Sequence, residues 1–156
     1  LIAGNLVNVY NGNAGKEGWE KITLASTIGG MVINTAGVTL AHGMEHPASG
    51  LRDIVHGKGL AALTPAIIEA SYTGNESKFA DIAKLFGGKE AKDLALKIRE
   101  LLKSINLNCT LSDLGIEEKD IPWMAENCMK VSAASVANNP VVFTQEQIAD
   151  IYKKAL

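Results

Sequence analysis

Residues 41–57 read AHGMEHPASGLRDIVHG and contain all three histidines of this 156-residue chain. Histidine is the commonest metal-binding side chain, and its unperturbed pKa lies near neutrality. His42 and His46 are four residues apart, so on a helix both imidazoles lie on one face. A cluster of this density indicates a functional site; the alternative is a chance grouping of surface or core histidines.

The residues around the histidines bear on what the cluster can bind. Pro47 and Gly50 permit a turn, which would return His56 toward the first two imidazoles. Two or three neutral imidazoles suit Zn, Fe, Co or Ni rather than Mg or Ca. A catalytic metal site normally has three or more protein ligands, so the chain offers too few unless Glu45 or Asp53 joins. Glu45 projects to a different side of a helix from its neighbouring histidine, and we interpret both carboxylates as solvated surface charges.

The composition is that of a soluble globular domain, with 47% hydrophobic and 21% charged residues and a net charge of −2. Basic residues are scattered among acidic ones and aromatic residues are few, which argues against a nucleic-acid partner. Residues 22–43 are uncharged, but polar side chains and glycines interrupt them, so we expect a buried helix rather than a membrane span. Cys109 and Cys128 indicate free thiols in a reducing, cytoplasmic compartment, with one disulfide as the alternative.

Apolar residues recur with helical period along almost the whole chain, which predicts an all-α bundle of six to nine helices. The first residues read as a helix already under way without an N-cap at Leu1, so we expect a piece of a longer protein. Thr144 and Gln147 form a capping-box pattern at the start of the last helix. The other predicted helices cover 19–36 (a central helix), 60–72 (buried), 77–86, 89–105 and 117–132.

The histidine segment also resembles a motif of a known family. Residues 37–47 read GVTLAHGMEHP and are followed by His56 and Gly57; together they resemble the second metal-site motif of the iron-containing (group III) alcohol dehydrogenases. This family includes lactaldehyde reductases and propanediol and butanol dehydrogenases. Similar segments continue in the expected order over essentially the whole chain, at 77–83, 113–116, 120–122 and 139–152.

The resemblance implies a fold and a role for each histidine. In this family an N-terminal α/β domain binds NAD or NADP, and a helical C-terminal domain of the dehydroquinate synthase-like type holds Fe²⁺ or, in some members, Zn²⁺. By position, His42 and His56 would be two metal ligands. His46 would be the non-ligating histidine near the nicotinamide and the substrate, where it would relay a proton. The metal would polarise a small alcohol, aldehyde or ketone during hydride transfer.

Two parts of the family pattern are not present in residues 1–156: the upstream Asp-x-x-x-His ligand pair and the nucleotide-binding domain with its glycine-rich loop. We therefore expect one helical domain, inactive alone, whose partners are the N-terminal domain, a small alcohol or aldehyde and a possible second copy. The alternative is a stand-alone, non-catalytic helical module with structural or interfacial histidines. A third hypothesis, a metallohydrolase with Glu45 as general base, is the least favoured.

Overall fold

Helices make up the architecture of the computed structural model, which describes residues 1–156 without a β-strand. The all-α prediction is therefore confirmed. The nine α-helices are α1 (Ile2–Tyr10), α2 (Lys16–Ala36), α3 (Leu40–Arg52), α4 (His56–Ser71), α5 (Glu76–Leu85), α6 (Asp93–Ser104), α7 (Ile121–Val131), α8 (Ala133–Ala137) and α9 (Gln145–Ala155). Short 3-10 helices cover Tyr72–Asn75, Ser112–Leu114 and Glu118–Asp120.

Helix α6 begins four residues later than the apolar pattern predicts. The carboxylate of Asp93 accepts the backbone N–H groups of Lys89 at 2.8 Å and Glu90 at 3.0 Å. This side chain holds residues 89–92 in a turn, because it satisfies N–H groups that would otherwise need partners in a helix. The apolar periodicity therefore predicted a helix start inside the turn that precedes α6.

The core lies where α3, α4, α7 and α9 pack against one another. Met44 of α3, Leu63 of α4, Met124 of α7 and Tyr152 of α9 are all completely buried. Burial of each such side chain contributes roughly 1.5–3 kcal/mol relative to exposure. The helix that carries His42 is therefore fixed by the main hydrophobic core of the chain.

The last helix begins as the sequence predicts. The hydroxyl of Thr144 accepts the N–H of Gln147 and the side chain of Gln147 accepts the N–H of Thr144, which is a complete capping box. Ile148, Ile151 and Tyr152 are buried on one face of α9. The phenolic O–H of Tyr152 donates a 2.5 Å hydrogen bond to the backbone carbonyl of Met44. This bond ties the C-terminal helix to the histidine-bearing helix.

Helix α2 was predicted to be central and buried, but it lies at the surface. None of its 21 residues is buried, and α1 is its main packing partner. The hydrophobic side chains of α2 point to more than one side of the helix, and α1 covers only some of them. The exposed apolar side chains are Trp19, Leu24, Ile28, Met31, Val32 and Ile33. Exposed apolar side chains in this number are typical of an interaction site.

A sharp bend separates α2 from α3. Gly37 ends α2 with a φ of 72°, a left-handed conformation that glycine adopts without steric cost. The amide of Asn138 donates to the carbonyls of Ala36 at 3.0 Å and Val38 at 3.2 Å and so holds the bend. No single helix is long and apolar enough to cross a membrane; α2 and α3 pass that test of length and composition only as a pair bent by 100°.

The turn before His56 lies further along the chain than predicted. Helix α3 runs without a break through Pro47 and Gly50 and ends at Arg52. Asp53 then takes the left-handed conformation with a φ of 51°, which aspartate tolerates better than most residues. The prediction of a turn at Pro47 and Gly50 is therefore wrong: both residues lie inside α3, where Pro47 is buried.

Arg52 connects the end of α3 to the segment before α7. Its Nε donates to the carbonyl of Gly115 at 2.9 Å, and its guanidinium lies 2.6 Å from the carboxylate of Asp120. The Asp120 side chain also accepts the N–H of Glu117 at 3.0 Å. These bonds are charge-assisted and partly shielded from water, so they are stronger than exposed ion pairs.

We expect Arg52→Ala to lower the free energy of unfolding by about 1–3 kcal/mol, as is usual when a hydrogen bond to a charged group is removed. Denaturant unfolding of the two proteins measures this difference. Lys84→Ala is the matched control, because Lys84 forms an exposed ion pair with Asp81 and should change stability by less than about 1 kcal/mol. Equal effects of the two substitutions would contradict the expectation.

Both cysteines are free thiols. Burial raises the pKa of Cys128 to about 11 and also raises the pKa of Cys109. A thiol with a raised pKa is largely protonated at neutral pH, and the protonated form is the poorer nucleophile and metal ligand. Neither cysteine is therefore suited to reactive thiolate chemistry.

Candidate metal centre

The three histidines lie together where α3 meets the start of α4. The ring centroids of His42 and His46 are 6.0 Å apart, so the two imidazoles share a face of α3 as predicted. His56 is the first residue of α4, and its ring centroid lies 5.2 Å from that of His42 and 5.9 Å from that of His46. His42 is half-buried, while His46 and His56 are exposed. The cluster is thus anchored in the core and open on one side.

The spacing of His42 and His56 fits shared binding of one ion. Two imidazoles bound to one ion through metal–nitrogen bonds of about 2.1 Å have ring centroids about 5 Å apart. Burial lowers the pKa of His42, and charge on the neighbouring His56 and His46 rings lowers the pKa further, while Glu45 acts in the opposite direction. The lowered pKa favours the neutral His42 ring, and neutral imidazole is the form that binds a metal.

Glu45 is completely buried, so the interpretation of this residue as a solvated charge is wrong. One carboxylate oxygen lies 2.5 Å from Nδ1 of His56, and the other accepts the hydroxyl of Ser49. The expectation that Glu45 projects away from His46 is also wrong, because a ligand atom of each lies within 4.8 Å of the other and both lie beside His56. Asp53, in contrast, is exposed as expected.

Glu45, His46 and His56 form a second possible ligand group. One ligand atom from each of these three residues lies within 4.8 Å of the others, and His42 is not in that set. However, both oxygens of the Glu45 carboxylate already accept hydrogen bonds from protein groups. The structure thus brings together all three predicted histidines and adds a carboxylate to them, and the assignment of ligands stays a prediction.

Comparison with known proteins gives the same fold and the same family. The model of the Fe-containing alcohol dehydrogenase family, C-terminal part, matches residues 1–156. The 1,3-propanediol dehydrogenase of Klebsiella pneumoniae is 35% identical over 163 residues, and lactaldehyde reductase of Escherichia coli K12 is 30% identical over 165 residues. Each alignment covers 99% of this chain and 42% of the relative.

Solved structures agree with these sequence matches. A crystal structure of a 1,3-propanediol oxidoreductase has a TM-score of 0.89 to this chain at 34% identity. The structure of ADH/D1, an archaeal halo-thermophilic alcohol dehydrogenase from a Red Sea brine pool, has a TM-score of 0.89 at 29% identity. Both alignments cover 99% of this chain and 42% of the solved chain.

The fold and the histidine cluster together define a helical domain of an oxidoreductase family. The chain belongs to the Fe-containing alcohol dehydrogenase family and matches its C-terminal part. It spans 42% of the length of the curated relatives named above. The resemblance found in residues 37–57 is therefore confirmed.

Proposed function

We propose that this chain forms the metal-binding part of an NAD- or NADP-dependent alcohol dehydrogenase that interconverts small alcohols with aldehydes or ketones. The observation that carries the proposal is the 5.2 Å separation of the His42 and His56 rings, in a chain of this family. Two neutral imidazoles suit Fe²⁺ or Zn²⁺. The remaining ligands and the nucleotide site would come from the rest of the full-length polypeptide.

In this proposal the three histidines have two different tasks. His42 and His56 hold a divalent ion, and His46, which is exposed beside them, takes up or returns the proton of the substrate hydroxyl. When bound, the ion would supply Lewis-acid polarisation of the substrate oxygen, and the nicotinamide would exchange the hydride. Both α3 histidines project from one helix that packs into the core, so His46 is held beside the proposed ligands.

The apolar surface of α1 and α2 supports the same proposal. Helix α2 exposes large hydrophobic side chains such as Trp19 and Met31, and large exposed apolar patches mark interaction sites. We assign this surface to contact with the rest of the full-length polypeptide, with a homodimer contact as the alternative. Protection of α2 amides from hydrogen exchange in a full-length monomer is the expected result; protection that appears only on dimerisation would favour the alternative.

The proposed activity is tested with the full-length protein, loaded with Fe²⁺ or Zn²⁺ under anaerobic conditions. We expect formation of reduced nicotinamide from small primary alcohols and diols, together with one bound metal ion per chain. The two free cysteines accord with expression in a reducing, cytoplasmic compartment, which we propose as its location. A full-length protein that binds one metal ion and still shows no alcohol-dependent nicotinamide reduction would overturn the proposed reaction.

The role of His46 gives a separate prediction. His46→Ala should keep one metal ion per chain but lower kcat by about 100-fold, because proton transfer by a positioned side chain usually contributes at least this much. Metal analysis and steady-state kinetics of the same preparation measure both quantities. Loss of the metal in this variant would instead identify His46 as a ligand, in agreement with the group that also contains Glu45.

A further inference from the structure

We infer that Glu45 is a positioning residue: its buried carboxylate fixes the tautomer and the orientation of the His56 ring, so that Nε2 points to the metal. This inference rests on the proposed function for the identity of the ion, but its first step concerns the protein alone. That step is the 2.5 Å contact between Nδ1 of His56 and a carboxylate oxygen of Glu45; because a carboxylate only accepts hydrogen bonds, the contact places a proton on Nδ1. A neutral imidazole whose Nδ1 carries the proton presents its lone pair at Nε2.

The burial of Glu45 argues for a specific task. Its side chain has no solvent exposure, whereas the His56 side chain is 50% exposed. A carboxylate in a protein interior is costly unless it is fully hydrogen-bonded. Stability of the fold does not require such a pair, because apolar side chains of similar volume in its place often stabilise the folded state equally. A carboxylate that holds a metal-ligating histidine is, in contrast, a common arrangement around metal sites.

The surroundings of Glu45 hold the carboxylate in one place. Ser49 lies one turn further along α3, and its hydroxyl is within hydrogen-bond reach of Glu45 Oε1 and, at 3.0 Å, of the Ile54 carbonyl. Gly59 of α4 also lies against the carboxylate: a Cβ at this position would be 2.7 Å from Oε1 and 2.9 Å from Cγ of Glu45. The glycine therefore leaves the space that the carboxylate occupies.

These contacts also separate a positioning role from a ligand role. Both Glu45 oxygens already have partners, so binding to an ion would require the carboxylate to release His56 or Ser49. Glutamine can preserve the arrangement: its amide oxygen accepts the Nδ1–H of His56, and its NH₂ donates to Ser49, whose hydroxyl then donates to Ile54. As a ligand, however, a neutral amide is a poor replacement for a carboxylate.

The test compares four variants of the full-length protein by two readouts. The first readout is the His56 tautomer in the metal-free protein, from ¹⁵N NMR with labelled histidine, assigned by means of His56→Gln. The second is metal affinity from competition with a chelator. Glu45→Ala should shift His56 away from the Nδ1–H form and weaken metal binding by about 10- to 100-fold. Glu45→Gln should retain the Nδ1–H form and bind metal more tightly than Glu45→Ala, because its amide oxygen still accepts the proton of His56.

Two glycine substitutions complete the set. Gly59→Ala should displace the carboxylate and reproduce much of the Glu45→Ala effect although Glu45 is still present. Gly50→Ala is its control, since a Cβ there meets nothing within 4 Å, and it should change neither readout. Gly59→Ala therefore tests the position of the carboxylate rather than its presence.

Each outcome decides the inference. An unchanged His56 tautomer in Glu45→Ala would overturn it. So would equally weak metal binding by Glu45→Gln and Glu45→Ala, because that pattern identifies Glu45 as a ligand. A full-length protein that binds no metal would contradict the proposed function, whereas the tautomer measurement would still decide the role of Glu45.

Discussion

The His56→Ala variant of the full-length protein is expected to lose most of its bound metal and to lower kcat/KM by roughly 1,000-fold. Lewis-acid stabilisation by a metal ion contributes several kcal/mol to the transition state, and each 1.36 kcal/mol corresponds to a factor of ten in rate. His56 is both a proposed ligand and the partner of the buried Glu45. Its removal would therefore also leave a buried carboxylate without its main hydrogen-bond donor.

Metal analysis and steady-state kinetics measure this effect. His42→Ala should behave in the same way, because the His42 and His56 rings lie at the spacing expected for one shared ion. Glu126→Ala serves as the control, since Glu126 is an exposed carboxylate of α7. Retention of one metal ion per chain in His56→Ala, with near-normal kcat/KM, would contradict the ligand assignment.

Tyr152→Ala is expected to lower the free energy of unfolding of this domain by about 3–5 kcal/mol, the range observed for removal of a large aromatic side chain from a core. Tyr152 has no solvent exposure and is the largest of the completely buried side chains. Its removal leaves a cavity between α9 and α3 and deletes the hydrogen bond to the Met44 carbonyl. Because Met44 immediately precedes Glu45, the metal site is expected to loosen as well.

Tyr152→Phe separates the two contributions in the same denaturation experiment. It keeps the ring and removes only the hydroxyl, so we expect a loss of about 1 kcal/mol, the usual net value of one hydrogen bond. If the two variants destabilise equally, the packing argument for α9 is wrong and the hydrogen bond dominates.

Local patterns in the sequence predicted much of this fold. Buried Ile148, Ile151 and Tyr152 lie at helical spacing, and the capping box at Thr144 marks the first turn of α9. The four-residue spacing of His42 and His46 likewise predicted correctly that both imidazoles share a face of α3. These features depend on contacts within one helix, which a linear pattern records directly.

Features that depend on contacts between helices were missed. Glu45 is buried because α4 crosses beside α3 and supplies His56 and Gly59 as neighbours, and nothing in the spacing of residues 41–57 shows that crossing. The signal that was present is Ser49, one turn from Glu45 on the same face. The apolar pattern of α2 correctly predicted a helix. It could not show whether residues of this chain cover the apolar side chains of that helix.

Anomalous X-ray diffraction from crystals of the full-length protein containing Fe²⁺ or Zn²⁺ would locate the metal directly. If His42 and His56 are ligands, a single anomalous peak should lie about 2.1 Å from one ring nitrogen of His42 and from Nε2 of His56. His46 should lie outside bonding distance, and Glu45 should remain on Nδ1 of His56. A peak coordinated by Glu45, His46 and His56, with His42 unbound, would contradict this ligand assignment.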